Sequence, residues 1–257
     1  MSEFIPTQER QNLIFGLLLR QGRLTVAEIV ERFKVSEATA RRDLEALAEQ
    51  GKIQRVHGGA LPIHRAPPEA PLLQREREQY LEKQRIGQAA ATMVCDGETV
   101  FLGSGTTVLQ VARNLRSRQN LTVITNSLPV INTLANLPGI TLIALGGMLR
   151  PSELSFIGHI TEQALAEVRA DKVIIGVHAI SLEHGLTNDY LPETMADRAI
   201  LKAGREVIVT ADHTKINAVA AAFLAPLERI HALVTDSQAP PDFVAALRER
   251  GIAVYLV

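Results

Sequence analysis

The sequence has a single cysteine, Cys95, among its 257 residues, which excludes an internal disulfide and any cage of cysteine ligands for a metal. Long apolar runs are missing as well, and no stretch approaches the roughly 20 residues that a membrane-spanning helix needs. The opening M-S-E-F-I-P-T-Q-E-R is polar and does not read as a signal peptide. Neither charge dominates: 27 Lys and Arg face 28 Asp and Glu, for a formal net charge of −1. Internal repeats and low-complexity tracts are absent. The expectation is a cytoplasmic protein with no membrane association, no metal and no cofactor. Cys95 itself, in A-A-A-T-M-V-C, reads as a buried helical thiol.

The length supports two domains. Prolines 62, 67, 68 and 71 fall in one charged stretch, and proline stiffens a connector and discourages regular pairing. Residues 1–61 and 81–257 are therefore expected to fold as separate units joined by a linker over 62–80. Residues 1–65 hold ten Lys and Arg against eight Asp and Glu, so the first unit is mildly basic and the remainder carries −3.

In the first unit, Leu13, Ile14, Leu17 and Leu18 recur at helical spacing up to Gly22, a residue suited to a helix end. Thr25 and Glu28 have the spacing of a capping box opening a second helix with Ile29, Val30 and Phe33 inward. A tight turn at Lys34-Val35 then leads to Ser36, an N-cap for a third helix with Ala40, Leu44 and Leu47 on its apolar side. Two helices joined by such a turn form a helix-turn-helix, whose second helix presents its first residues to the major groove. Ser36, Glu37 and Thr39 fall near the bases, and Arg41 and Arg42 near phosphates or guanine edges. After Gly51, the stretch Lys52 to Leu61 reads as a hairpin wing turning at Gly58-Gly59. Its polar positions Arg55 and His57 face DNA, Arg55 toward a phosphate or the minor groove. The net of +2 alone does not distinguish this from a three-helix domain with solvated arginines; the order of caps, turn and wing does.

From Lys83 the chain alternates buried β runs with helices. Strands are expected at Thr99–Leu102, Leu121–Thr125 and Ile140–Leu145, then near 172–177, 205–210, 231–234 and 252–257. This is the pattern of an α/β domain with a mainly parallel sheet covered on both faces. Ligands collect beyond the carboxyl ends of such strands. One loop there is Gly103-Ser104-Gly105-Thr106-Thr107, whose glycines, free amides and hydroxyls suit an anion at a helix start. It fits no nucleotide-triphosphate loop. Asn126 and Ser127 follow the next strand, Ser127 reading equally as an N-cap. Gly146, Gly147 and Arg150 follow the third, Arg150 reading as an anion ligand or as a surface arginine. Lys215 reads as a phosphate partner or a solvated cation, and Glu193 as a helix-start carboxylate or an acceptor for sugar hydroxyls.

The stretches V-S-E-A-T-A-R-R-D-L at 35–44 and G-K-I-Q-R-V-H-G-G-A at 51–60 resemble the DNA-binding domain of the DeoR family of bacterial transcription regulators. Ala40 stands where an isoleucine is usual. The resemblance continues through D-G-E-T-V-F-L-G-S-G-T-T at 96–107, V-I-T-N-S-L at 123–128, the L-G-G loop at 145–147, Ser155 to Gly158, and Asp212 to Lys215. It implies a winged helix-turn-helix joined to an α/β sensor domain like ribose-phosphate isomerases and glucosamine-phosphate deaminases. Three departures stand in the sensor half: Gly103 replaces a frequent Asp, Arg198 a usual Lys, and His178 a small residue.

The resulting expectation is a repressor of a carbohydrate-catabolism operon. It binds double-stranded operator DNA as a homodimer or homotetramer and is released by a phosphorylated sugar held on Gly103 to Thr107, Asn126, Ser127, Gly146, Gly147, Arg150, His178, Glu193 and Lys215. The alternative is a sugar-phosphate isomerase-like enzyme with an appended DNA-binding domain. That reading needs an acid/base pair near the substrate carbons, for which His178, Asp189 and Glu193 are the candidates.

Overall fold

A computed structural model describes residues 5–257 apart from 22, 57 and 63. Gly22, expected to close the first helix, and His57, expected on the wing, lie outside the described residues. The N-terminal head contains α1 (Thr7–Gln21), β1 (Leu24–Thr25), α2 (Val26–Phe33), α3 (Glu37–Glu49), β2 (Ile53–Val56) and β3 (Gly59–Pro62), with the strands ordered β1-β3-β2. The capping box forms: the Glu28 amide donates to Thr25 Oγ1 at 3.2 Å, and the Thr25 amide to Glu28 Oε2 at 2.7 Å. Lys34 takes φ 54°, which turns the chain sharply enough for α3 to start two residues later. Ser36 then caps α3 by accepting the Thr39 amide at 3.2 Å. Ile14, Leu18, Ile29, Ala40, Leu44, Leu47 and Ile53 form the core of the head.

Two details differ from expectation. Leu13 is exposed, and the buried face of α1 instead continues N-terminally through Gln11 and Arg10. Both polar side chains converge on Asp43 of α3, which is buried. Arg10 Nε donates to Asp43 Oδ2 at 2.6 Å and Nη2 to Oδ1 at 3.1 Å, while Gln11 Nε2 donates to Oδ1 at 3.2 Å. This three-bond clamp sets the pitch of the third helix against the first.

The remainder of the chain begins with β4 (His64–Arg65), α4 (Leu72–Arg75) and α5 (Tyr80–Thr92). It continues through β5 (Thr99–Leu102), α6 (Thr106–Asn114), β6 (Leu121–Thr125), α7 (Leu128–Leu134) and β7 (Ile140–Ala144). A hairpin of β8 (Met148–Arg150) and β9 (Ser155–Ile157) precedes α8 (His159–Ala166) and β10 (Ala170–Gly176). Then come β11 (Ala179–Ser181), β12 (Gly185–Asn188), α9 (Leu191–Ala203), β13 (Gly204–Thr210), β14 (Ala218–Val219), β15 (Ala222–Ala225), β16 (Ala232–Thr235), α10 (Pro241–Glu249) and β17 (Ala253–Leu256).

Seven of these strands form a parallel sheet in the order β17-β16-β13-β10-β5-β6-β7. The chain lays β5 first, adds β6 and β7 on one side, then crosses back to place β10 on the other. The crevice beyond the carboxyl ends of β5 and β10 is therefore a topological switch point, where such sheets hold ligands. Apolar side chains from both sheet faces, Phe101, Val173, Val207 and Leu233 on one and Val100, Leu102, Ile174 and Ile208 on the other, pack against the helices. A small antiparallel sheet, β11-β12-β15, was not expected from the sequence. Cys95 corrects its own expectation: α5 ends at Thr92, and the thiol is exposed in the loop that follows.

The stretch expected as a linker makes specific contacts. β4 pairs in parallel with β14, the Leu72 amide donates to the Ser152 carbonyl at 2.8 Å, and Leu72 itself is buried.

The Asp43 clamp gives a measurable expectation. Asp43→Ala leaves the Arg10 guanidinium buried without its partner, which typically costs about 3–5 kcal/mol. Glu37→Ala, which removes an exposed pair on the same helix, should cost under about 1 kcal/mol. Denaturant unfolding followed by helical circular dichroism compares the two, and equal effects would refute the structural role of the clamp.

Candidate functional site

Ser36, Glu37, Arg41, Arg42 and Arg55 are all exposed, on the first turns of α3 and on β2. Thr39 is half-buried, with its hydroxyl 2.9 Å from Ser36 Oγ. Glu37 Oε1 accepts from Arg41 Nε at 3.1 Å and Nη2 at 2.5 Å, so the acidic residue one turn earlier orients the arginine. Arg55 lies 3.6 Å from Glu45, and Arg42 has no ion pair among the described residues. The sequence-expected DNA-facing residues thus share one solvent-open surface of cap, helix start and wing.

The second site is a narrow polar cleft of about 50 Å³ at the switch point. Ser104 to Thr107 line it after β5, Gly176 to His178 at the end of β10, and Thr210 and Ala211 at the end of β13. Gly105 takes φ 105°, a conformation that L side chains rarely adopt, and it aims the opening turn of α6 at the cleft. The first amides of a helix have no partner within it, so Thr106 and Thr107 present donors and the positive end of a dipole. Lys215, after β13, also lines the cleft and has no ion pair among the described residues.

Other expected residues fall into two groups. His178 and Glu193 line the cleft. His178 Nε2 lies 2.9 Å from the Pro67 carbonyl, and its Nδ1 is 3.4 Å from Glu69 Oε1. Glu193 accepts from Ser155 Oγ at 2.9 Å and is paired with Arg150, whose guanidinium stacks 4.6 Å from the Tyr190 ring centre. Arg150 therefore acts on Glu193 rather than facing the cleft. Asn126 and Ser127 are buried beneath the β8–β9 hairpin: Asn126 Nδ2 donates to the Phe156 carbonyl at 3.0 Å, and Ser127 bridges Ser155. Gly146 and Gly147 also have a packing role. The Gly146 carbonyl accepts from Thr161 Oγ1 at 2.8 Å, and a Cβ on Gly147 would overlap that hydroxyl. Gly103 is the buried hinge between β5 and the loop, its amide bonded to the Ile174 carbonyl at 3.0 Å. These loops shape the cleft without lining it.

Several lining residues were not anticipated. Arg75 of α4 is buried, pairs with Glu69 at 2.8 Å and with Glu153, and donates from Nε to the Ala70 carbonyl at 2.7 Å. Lys83 is buried, with Nζ donating to the Arg75 carbonyl at 2.7 Å. Asp197 accepts from Asn188 Nδ2 at 2.8 Å. Asp189, an acid/base candidate in the enzyme reading, accepts the Glu69 amide at 2.8 Å instead.

So many ionisable groups in one enclosure perturb one another. Burial pushes Glu153 up to about 7, with Glu69 and Glu193 adding repulsion against the opposing pull of Arg75. Burial also raises Glu193, and it raises Asp197 well above the usual carboxylate range, where Glu193 and Glu153 add to the effect. Glu69 goes the other way: burial opposes its charge, yet contact with His178 and the Arg75 charge hold it at about 2. Desolvation lowers Lys83.

Comparison with known proteins fits this arrangement. Residues 10–66 match the DeoR-like helix-turn-helix domain, and residues 78–237 match the DeoR C terminal sensor domain. The chain belongs to the DeoR family. It is 35% identical to the transcriptional repressor AccR of Agrobacterium fabrum, with 91% of each chain covered. It is 34% identical to the glycerol-3-phosphate regulon repressor of Escherichia coli, covering 96% of this chain and 98% of that one. The regulator IolR of Bacillus subtilis is 31% identical over 93% of this chain and 95% of its own. Among solved structures, a ribose 5-phosphate isomerase A from Methanocaldococcus jannaschii is similar over 52% of this chain and 53% of its own, with 17% identity and a TM-score of 0.38. No helix among the described residues of this DeoR-family chain is long and apolar enough to cross a membrane.

The raised Glu153 has a signed consequence for stability. Between the ordinary value of 4.5 and about 7, the folded chain holds a proton that the unfolded chain has lost. Its contribution is therefore complete below 4.5 and disappears as pH rises through 7, a change of up to about 3 kcal/mol. Glu193 and Asp197 act in the same direction, and Glu69 acts only near the acid end. The melting temperature should fall between pH 5 and pH 8, and Glu153→Gln should make that fall shallower. An unchanged slope in the variant would show that Glu153 titrates normally.

Proposed function

We propose that this protein is a cytoplasmic transcription repressor whose α3 and wing hold operator DNA, and that a phosphorylated sugar bound in the switch-point cleft releases it. The observation that carries this reading is the pairing of two surfaces on one chain. One is an open helix-turn-helix face with Arg41 and Arg42 exposed. The other is a polar cleft with helix-start amides, Lys215, Lys83 and Arg75 gathered at the carboxyl ends of parallel strands. The names of the relatives support repression, and one of them names a phosphate ester in its regulon. A homodimer or homotetramer matches the two half-sites that helix-turn-helix readers use.

The alternative of an isomerase is supported less well. Of its three acid/base candidates, Asp189 holds a backbone amide of the connector, and Glu193 is paired with Arg150 and bonded to Ser155. His178 alone does not make an acid/base pair.

DNA enriched from a random pool on the full-length protein supplies a site for gel-shift titration. Arg41→Ala/Arg42→Ala should lose this binding, because a bidentate arginine–guanine contact is worth about 1–3 kcal/mol. Thr106→Ala/Lys215→Ala should keep DNA binding but no longer release it when sugar phosphates are added. Release by wild-type protein corresponds to a coupling of about 1–3 kcal/mol, or 5- to 150-fold. DNA affinity that is indifferent both to the double arginine change and to every phosphorylated sugar would overturn the proposal.

A further inference from the structure

The cleft already holds a carboxyl group at the place best suited to an anion. Glu153, in the turn between β8 and β9, is buried, and its Oε1 lies 3.8 Å from where a Cβ on Gly105 would stand. Its carboxylate is therefore beside the opening turn of α6, the place best suited to a phosphate. The other oxygen of Glu153 is paired with Arg75. That guanidinium serves two carboxylates at once, Glu69 and Glu153. Arg75 comes from α4, in the connector between head and body, and the Glu153 turn is bonded to the same connector through Ser152 and Leu72.

We propose that Glu153 is a built-in stand-in for the effector's phosphate, and that Arg75 is a ligand-binding residue that exchanges the Glu153 carboxylate for that phosphate when the effector binds. This rests on reading the cleft as a phosphate site. Above pH 7, where Glu153 is ionised, its carboxylate competes with an incoming anion for Arg75, and Glu193 and Asp197 add carboxyls to the same enclosure. A phosphate dianion cannot share that space with an ionised Glu153 without strong repulsion. Arg75 stays in place through Glu69 and the Ala70 carbonyl, so the glutamate is the partner that yields. A neutral sugar offers nothing to displace a carboxylate from an arginine, so the exchange selects phosphorylated ligands over free ones. It also removes one of the two ties, Arg75–Glu153 and Leu72–Ser152, that hold the turn at 150–154 to the connector leading to the head, giving the ligand a preference between two arrangements of the chain, without which it could shift nothing.

The test measures binding of inorganic phosphate by titration calorimetry at pH 8, with full-length wild-type protein, Glu153→Gln, Arg75→Gln and the double variant. Glu153→Gln removes the competitor and should bind about tenfold more tightly, the worth of one charge-assisted hydrogen bond. Arg75→Gln should bind at least about tenfold more weakly. The double variant should gain less over Arg75→Gln than Glu153→Gln gains over wild type, because much of the glutamate's competition runs through the arginine. Should Arg75→Gln fail to fold, Arg75→Lys keeps the charge without the two-pronged contact and should blunt the gain from Glu153→Gln. Equal or weaker binding by Glu153→Gln, with wild-type binding intact, overturns this inference alone. A gain of undiminished size after replacement of Arg75 does the same. Absence of phosphate binding in every protein overturns the inference together with the reading on which it rests.

Discussion

A buried guanidinium holds this molecule's working parts together. Arg75 sits in a short helix between head and body, with carboxylates on two sides and a backbone carbonyl on a third. Isolated, such a charge is costly to remove from water; paired and hydrogen-bonded, it is tolerated and specifies one arrangement of its neighbours. The two partners differ in how firmly they are held. Glu69 is kept ionised by its contacts with His178 and Arg75, whereas burial and neighbouring negative charge push Glu153 toward neutrality. The arginine has one committed partner and one marginal one, and the marginal one lies at the mouth of the α6 dipole.

The body's sheet was legible because a parallel strand buried on both faces is a continuous apolar run, and such runs are bounded locally by polar loops. Thr99–Leu102 and Leu121–Thr125 are strands with the bounds read from sequence, and the others shift by a residue or two. The Gly103 to Thr107 loop was legible for a related reason: two glycines and three hydroxyls between a strand and a helix have few other uses. Polar loop composition alone did not separate lining from scaffolding. Asn126 and Ser127 bond backbone groups of the β8–β9 hairpin, and Gly146 and Gly147 pack against Thr161 of α8, a role decided by what packs above them.

Arg75, Glu69 and Glu153 were missed because their significance is not local. Arg75 and Glu153 are 78 positions apart, and in a proline-rich charged stretch an arginine reads as a solvated connector residue. The head shows the same division. The capping box at Thr25 and the Ser36 cap are bonds across three residues and were visible in the sequence. The Arg10–Asp43 clamp spans 33 residues and was not, although the exposed Leu13 and buried Gln11 follow directly from it.

Regulation by a bound ligand requires that its binding energy differ between two arrangements of the protein, and a coupling of about 1–3 kcal/mol is enough for a biologically useful response. A charge-assisted hydrogen bond is worth about 1.5–3 kcal/mol, so exchanging the partners of one arginine falls in the required range without any large movement. The placement of the switch-point cleft against α4 matters because α4 leads to the head, and a change in what Arg75 holds is a change in how that connector is tethered. A cleft lined only by the carboxyl ends of the strands would have no direct route to the DNA-facing helix.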